Sequence, residues 1–199
     1  MVAITHTTLD GVMQAPARSD EDTRDNFRYG GWAPPYSDEV MAATVGPGMS
    51  AAGGAEDGGI LLGRRTYQDF HEVWPKRNDG NPFTERLNAA TKYVVSTTLT
   101  EPLPWQNSIL LAGPVADEIG ALKARLAGDL VVLGSGRLLQ SLLKHALVDE
   151  LVLTIHPLVL GSGHRLFPVE GPRIALQLVD TKPTTTGVII ARYRLAAPG

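Results

Sequence analysis

Three stretches carry residue types suited to gripping an anion. Leu130-Val-Val-Leu-Gly134-Ser135-Gly136-Arg137-Leu138 runs a hydrophobic segment through Gly-Ser-Gly and straight into an amphipathic run. Glycines allow close backbone approach, and the first turn of a helix offers unpaired N–H groups to an anion. That arrangement fits a pyrophosphate cradle, and it fits a tight strand-to-helix turn without a ligand equally well. It lacks the third glycine of the dinucleotide fingerprint and comes late in the chain. Gly63-Arg64-Arg65-Thr66 is a second strand-to-helix junction. Two guanidinium forks there suit a phosphate monoester, or serve only as a solvated helix start. Ser96 and Thr97 close a third hydrophobic run with hydroxyls. In open α/β sheets ligands bind beyond the carboxyl ends of the strands, so all three features fall on one rim. Together they indicate a phosphorylated nucleotide.

The elements that must position these residues follow from hydrophobic periodicity. Val2–Thr7 reads as a strand turning at Asp10-Gly11, followed by a long polar loop from Val12 to Trp32. A helix is predicted from about Tyr36 to Thr44, with Ser37 as cap and Asp38 and Glu39 at its positive end. The Gly- and Ala-rich stretch 46–59 reads as helix or loop. Gly59–Gly63 is a buried strand, Arg64–Phe70 begins a helix, Phe83–Ala90 is helical, and Lys92–Thr97 and Ser108–Ala112 are strands. Val115, Ile119, Leu122 and Leu126 form one helical stripe, and Asp129–Gly134 is the next strand. An amphipathic helix spans Ser135–His145, Asp149–Ile155 is a strand, and Ala175–Thr181 with Val188–Leu195 reads as an antiparallel hairpin. Strands alternating with helices make this a single α/β domain over residues 1–199 with a mainly parallel sheet.

Composition removes several classes of chemistry. The 199 residues include no cysteine, so thiol nucleophiles, Cys-ligated zinc and disulfides are impossible. The five histidines show no HExxH or HxxxH spacing, so no metal is expected, and they read as satisfied or surface residues. Eighteen Lys and Arg against twenty-one Asp and Glu give a net charge of −3, which argues against a nucleic-acid partner. Thirteen of those eighteen cations are Arg, which leaves room for local phosphate sites on an acidic body. Neither a signal peptide nor a membrane span is legible, so the expected location is cytoplasmic.

These residues, in this order, resemble the dihydrofolate-reductase-like superfamily, and within it the riboflavin-pathway branch: the reductase domain of the pyrimidine deaminase/reductase. The resemblance rests on Thr8-Leu9-Asp10-Gly11, Gly63-Arg64-Arg65-Thr66-Tyr67, the Lys92–Thr97 strand and Leu133-Gly134-Ser135-Gly136. It continues through Val148-Asp149-Glu150-Leu151, His156-Pro157-Leu158-Val159-Leu160-Gly161-Ser162-Gly163 and Leu166-Phe167, and so covers nearly the whole chain. It implies a three-layer fold, a mostly parallel mixed sheet with a C-terminal antiparallel hairpin and helices on both faces.

The resemblance also implies an NADPH-dependent oxidoreductase acting on a small nitrogenous ring or an opened ribosylamine. By matching position, Arg64, Arg65 and Thr66 would hold the 2′-phosphate and nearby phosphate oxygens, and Ser96 and Thr97 would line the adenosine side. Gly134, Ser135, Gly136 and Arg137 would take the pyrophosphate, Leu9, Asp10 and Gly11 would border the nicotinamide, and Gly63 and Leu138 belong to the same coenzyme site. The folate enzymes place a protonating acid a few positions after a Trp. Here Asp38 and Glu39 follow Trp32 at a different spacing past Pro34-Pro35. Asp38, supported by Thr154, is therefore a candidate for that acid or serves only the helix dipole, and Trp32 and Arg165 are candidate substrate contacts. In the folate enzymes two consecutive glycines are joined by a cis peptide. Here Ser135 takes the second position, and the isomer at Gly134–Ser135 stays open. The leading substrate is a riboflavin-pathway aminopyrimidine ribosyl phosphate. The alternatives are dihydrofolate or another pterin, and a non-catalytic nucleotide-binding protein on the same fold. The branch implies a homodimer.

Overall fold

Strands that are apolar at every position need cover on both faces, and this chain supplies it with two sets of helices. The computed structural model describes residues 1–51 and 58–196. In chain order the elements are β1 (Val2–Thr8), α1 (Glu39–Ala51), β2 (Gly59–Gly63), α2 (Arg64–Val73), α3 (Pro82–Ala89), β3 (Lys92–Val95) and β4 (Ser108–Leu111). Then come α4 (Val115–Arg125), β5 (Leu130–Leu133), α5 (Gly136–Lys144), β6 (Glu150–His156), β7 (Leu176–Pro183) and β8 (Ile189–Leu195). One eight-stranded sheet runs in the order β4-β3-β2-β5-β1-β6-β8-β7. β1 to β6 are parallel, β8 runs antiparallel to β6, and β7 pairs with β8 as the terminal hairpin.

Alternate residues of the central strands feed two cores. Ala3, Leu61, Leu130 and Val132 pack with Ile119 and Leu122 of α4 and with Leu138, Leu139, Leu142 and Leu143 of α5. Ile4, Ile60, Leu62, Val131 and Leu133 pack with Met41 and Val45 of α1, Tyr67 of α2 and Leu87 of α3. The fold therefore has three layers, as the resemblance implied.

The crossovers leave a crevice beside β1. Its pairing with β5 ends at Ile4 opposite Leu133, whereas its pairing with β6 continues to Thr8 opposite His156. Beyond Ile4, β5 turns away at Gly134 into α5 on one face, while β1 leads to α1 on the other. Such a divergence is the place where open α/β sheets receive ligands.

Helix α1 departs from the expected bounds. Pro34–Tyr36 forms a 3-10 turn and Ser37 is extended, so the helix starts at Glu39 and Asp38 takes the cap. Asp38 Oδ1 accepts from Met41 N at 2.8 Å. The helix runs past Thr44 to Ala51, so residues 46–51 of the Gly- and Ala-rich stretch are helical. Residues 52–57 of that stretch lie outside the described residues. Strand β3 stops at Val95 because the Ser96 hydroxyl accepts from Thr98 N at 3.1 Å and Leu99 N at 3.0 Å, closing a turn.

Candidate active site

The two glycine-containing junctions are joined by one hydroxyl. Ser135 Oγ accepts from Gly63 N at 2.8 Å and donates to Thr66 Oγ1 at 2.9 Å. Gly134 and Ser135 are both left-handed, with φ 56° and 60°, a geometry that serine adopts only at a cost. The one cis peptide among the described residues is Glu101–Pro102, so the Gly134–Ser135 bond is trans. The N-termini of α2 and α5 thus open on a common lip. Arg64, Arg65 and Arg137 are exposed there and, among the described residues, engage in no ion pair. Thr97 is exposed at the end of β3. Ser96 is buried and committed to its turn, so it shapes this lip rather than facing a ligand. Leu138 likewise points into the core.

The loop after β1 crosses this lip. A Cβ on Gly136 would meet Met13 Sδ at 2.6 Å, so the flexible Met13 side chain rests on the first turn of α5. Further on, Arg18 pairs with Asp69 of α2 and Arg24 with Asp22. Burial works against the charge on Asp22, but the Arg24 bonds and, more weakly, the Arg65 charge hold its carboxyl below the ordinary value. The buried Gln14 organises the loop: its Nε2 donates to the Asp22 and Arg24 carbonyls, and its Oε1 accepts from His164 N.

Several expected roles take another form. Asp10 does not open toward a ligand. Its carboxylate accepts from Thr8 Oγ1 at 2.6 Å, Gly161 N at 2.9 Å and Leu160 N at 3.2 Å, tying the end of β1 to the 158–165 loop. Burial opposes ionisation of Asp10, yet these bonds outweigh it and lower the pKa. Gly11, at φ 80°, makes the expected turn, and Leu9 is exposed beside it. Arg165 pairs with Asp10 at 3.4 Å and therefore braces the loop instead of standing free for substrate. Trp32 is buried, and its Nε1 donates to Gln14 O at 2.8 Å. Asp38 does not meet Thr154: one oxygen caps α1, and the other accepts from Thr185 N and Oγ1 at 2.7 and 2.6 Å.

Thr154 instead joins a polar cluster that sequence reasoning missed. Its Oγ1 donates to Thr5 O at 3.1 Å and lies 2.8 Å from His6 Nδ1. His6 Nδ1 is also 3.0 Å from His156 Nε2. His156 is fully buried, edge-on to Trp32 and Tyr36, and its Nδ1 has no partner. Burial lowers His6 to about 4, helped by His156, and burial alone lowers His156 to about 4. The even spacing of His6 along β1 and of Thr154 and His156 along β6 was the available signal, since it puts all three on one face. Their pairing depends on strand neighbours 150 residues apart.

With this geometry in place, comparison with known proteins decides the family. The RibD C-terminal domain profile matches residues 2–190. The chain belongs to the RibD C-terminal domain family. This RibD-type domain is 33% identical over 139 residues to an uncharacterized protein, YyaP, of Bacillus subtilis (strain 168), spanning 67% of this chain and 72% of that protein. In structure it is similar to a putative riboflavin biosynthesis protein from Shewanella sp. PV-4, with a TM-score of 0.72, 20% identity and 98% of each chain covered. It is also similar to dihydrofolate reductase from Enterococcus faecalis complexed with NADP(H), with a TM-score of 0.62, 14% identity and 98% and 96% covered. These two likenesses show the dihydrofolate-reductase-like fold. Family membership makes the domain a reductase of the riboflavin-pathway type. No helix among its described residues is long and apolar enough to cross a membrane.

Proposed function

We propose that this domain is an NADPH-dependent reductase whose substrate is an aminopyrimidine ribosyl phosphate of the riboflavin pathway. The observation that carries this reading is the Ser135 link, which joins two helix N-termini beside three guanidiniums that make no ion pair among the described residues. That combination suits a doubly anionic coenzyme tail. Arg64, Arg65 and Thr66 would hold the 2′-phosphate, and Gly134, Ser135, Gly136 and Arg137 the pyrophosphate. Gly63 lies where the two junctions meet. Leu9 and Gly11 would border the ring at the mouth of the crevice, and Thr97 the adenosine side. Met13 would have to leave Gly136 for the tail to reach the α5 N-terminus, a movement that an unbranched thioether makes easily. When bound, the coenzyme supplies a hydride.

The test is NADPH oxidation by the purified protein with the riboflavin-pathway aminopyrimidine and, separately, with dihydrofolate. Faster turnover of the aminopyrimidine is expected. Preference for dihydrofolate selects the pterin reading, and tight NADPH binding without oxidation of either substrate selects a nucleotide-binding protein. Homodimerisation belongs to the same proposal. The edge strand β7 exposes Leu178 and Val179, with Ile189 exposed on β8, and light scattering at twice the 21.3 kDa chain mass is the expected result.

A further inference from the structure

We propose that His6 is the proton donor of the reduction, acting from Nε2 while His156 and Thr154 hold its Nδ1. The inference rests on the reductase reading above. A reduced C=N bond gains a proton as well as a hydride, and the expected donor, Asp38, is fully engaged in capping α1 and binding Thr185. His6 stands on β1 two residues beyond the last pair with β5, inside the crevice between that strand's turn and β6. It is half-buried, and its Nε2 has no partner among the described residues.

The contacts of Nδ1 admit both tautomers, and the one proposed has hydrogen on Nδ1: Thr154 gives its one hydroxyl proton to Thr5 O, and toward His6 Nδ1 its oxygen accepts. In that tautomer His156 Nε2, 3.0 Å away, is a second acceptor for the Nδ1 hydrogen. That leaves the His156 proton on Nδ1, buried and unpaired, a cost that packing alone does not account for. The group facing His6 from β6 is His156 with Thr154, the rings closing over His156 from the loop are Trp32 and Tyr36, and the carboxylate nearest along that loop, Asp38, is tied to Thr185.

The step balances as follows. His6 takes a proton at Nε2 from a hydronium ion of the solvent, which leaves as water, and becomes a short-lived imidazolium, disfavoured at rest by burial, whose Nδ1–H is shared by two neutral acceptors. The substrate carbon gains the hydride, the C=N electron pair moves to nitrogen, and that nitrogen takes the Nε2 proton. His6 returns to its neutral Nδ1–H form with no other bond changed. His156 and Thr154 are positioning residues.

The experiment uses the full chain. His6→Gln is expected to lower kcat about 10²- to 10⁴-fold while Tm stays within about 4 °C and the NADPH Kd within about twofold of wild type. Asp38→Asn is expected to retain turnover and lose thermal stability. The reverse, with turnover kept in H6Q and lost in D38N, overturns the proposal. An arm without turnover reads the imidazole ¹⁵N resonances. A protonated Nδ1 on His6, with its ring signals shifting as NADP⁺ saturates the protein, is the expected result. An Nε2–H form, or signals blind to NADP⁺, overturns the assignment to His6 alone. Failure of the wild-type chain to bind NADP⁺ overturns the reductase reading itself.

Discussion

At the scale of single residues, the lip depends on guanidiniums that make no ion pair among the described residues. Arg64 and Arg65 are exposed and outside any ion pair among the described residues, so replacing both by alanine removes binding groups without exposing a core. A charge-assisted hydrogen bond contributes about 1.5–3 kcal/mol, hence roughly ten- to a hundredfold per residue in NADPH affinity. NADH binding should be almost unchanged, and equal losses for the two coenzymes in a titration would remove the 2′-phosphate assignment. Ser135→Ala acts differently, because it strips the acceptor from Gly63 N and the donor from Thr66. The orphaned amide costs about 1–3 kcal/mol, so thermal melting should show a lower Tm and coenzyme titration a weaker Kd together.

At the scale of elements, α5 presents Gly136 to the crevice only because its other face is locked in the core. Leu139 is fully buried between that helix and the sheet. Leu139→Ala should cost about 2–5 kcal/mol in denaturant unfolding, with coenzyme affinity of the folded fraction retained. Its Cβ points away from the lip, and loss of affinity without loss of stability would contradict this packing. Helix α1 shows how local sequence can mislead. An acid beside an apolar run after Trp32 fits a catalytic group and a helix cap equally well from sequence. The structure distinguishes them because Thr184–Thr186, 147 residues later, folds over the same carboxylate. The Thr185 hydrogen bond lowers the Asp38 pKa, so this contribution is present above the ordinary carboxyl value and is lost as pH falls from there through the lowered folded value.

At the scale of the molecule, acid should loosen the fold through the histidine pair. Both rings are lowered to about 4 from an ordinary 6.5, so between those values the unfolded chain binds protons that the folded chain refuses. Stability is therefore full above about pH 6.5 and declines as pH falls toward about 4, where the loss levels off. Melting curves across that window should fall less steeply for His156→Phe, which keeps an aromatic ring against Trp32 and Tyr36. An equal slope would place the acid sensitivity elsewhere.

The strands and helices were legible because runs such as Leu130–Leu133 and the Leu138–Leu143 stripe need burial whatever surrounds them. The glycines and arginines of the two junctions were legible for a similar reason: their backbone freedom and charge are properties of the residues themselves. What lines the substrate side of the crevice was not. Whether Asp10, Asp38 and Arg165 face a ligand or brace a loop depends on partners some 150 residues away, Gly161, Thr185 and Asp10 in turn. His6 and His156 became a pair only when β1 and β6 came into register, since a hydrogen bond between side chains is set by strand order, and strand order is settled by the packing of the whole sheet.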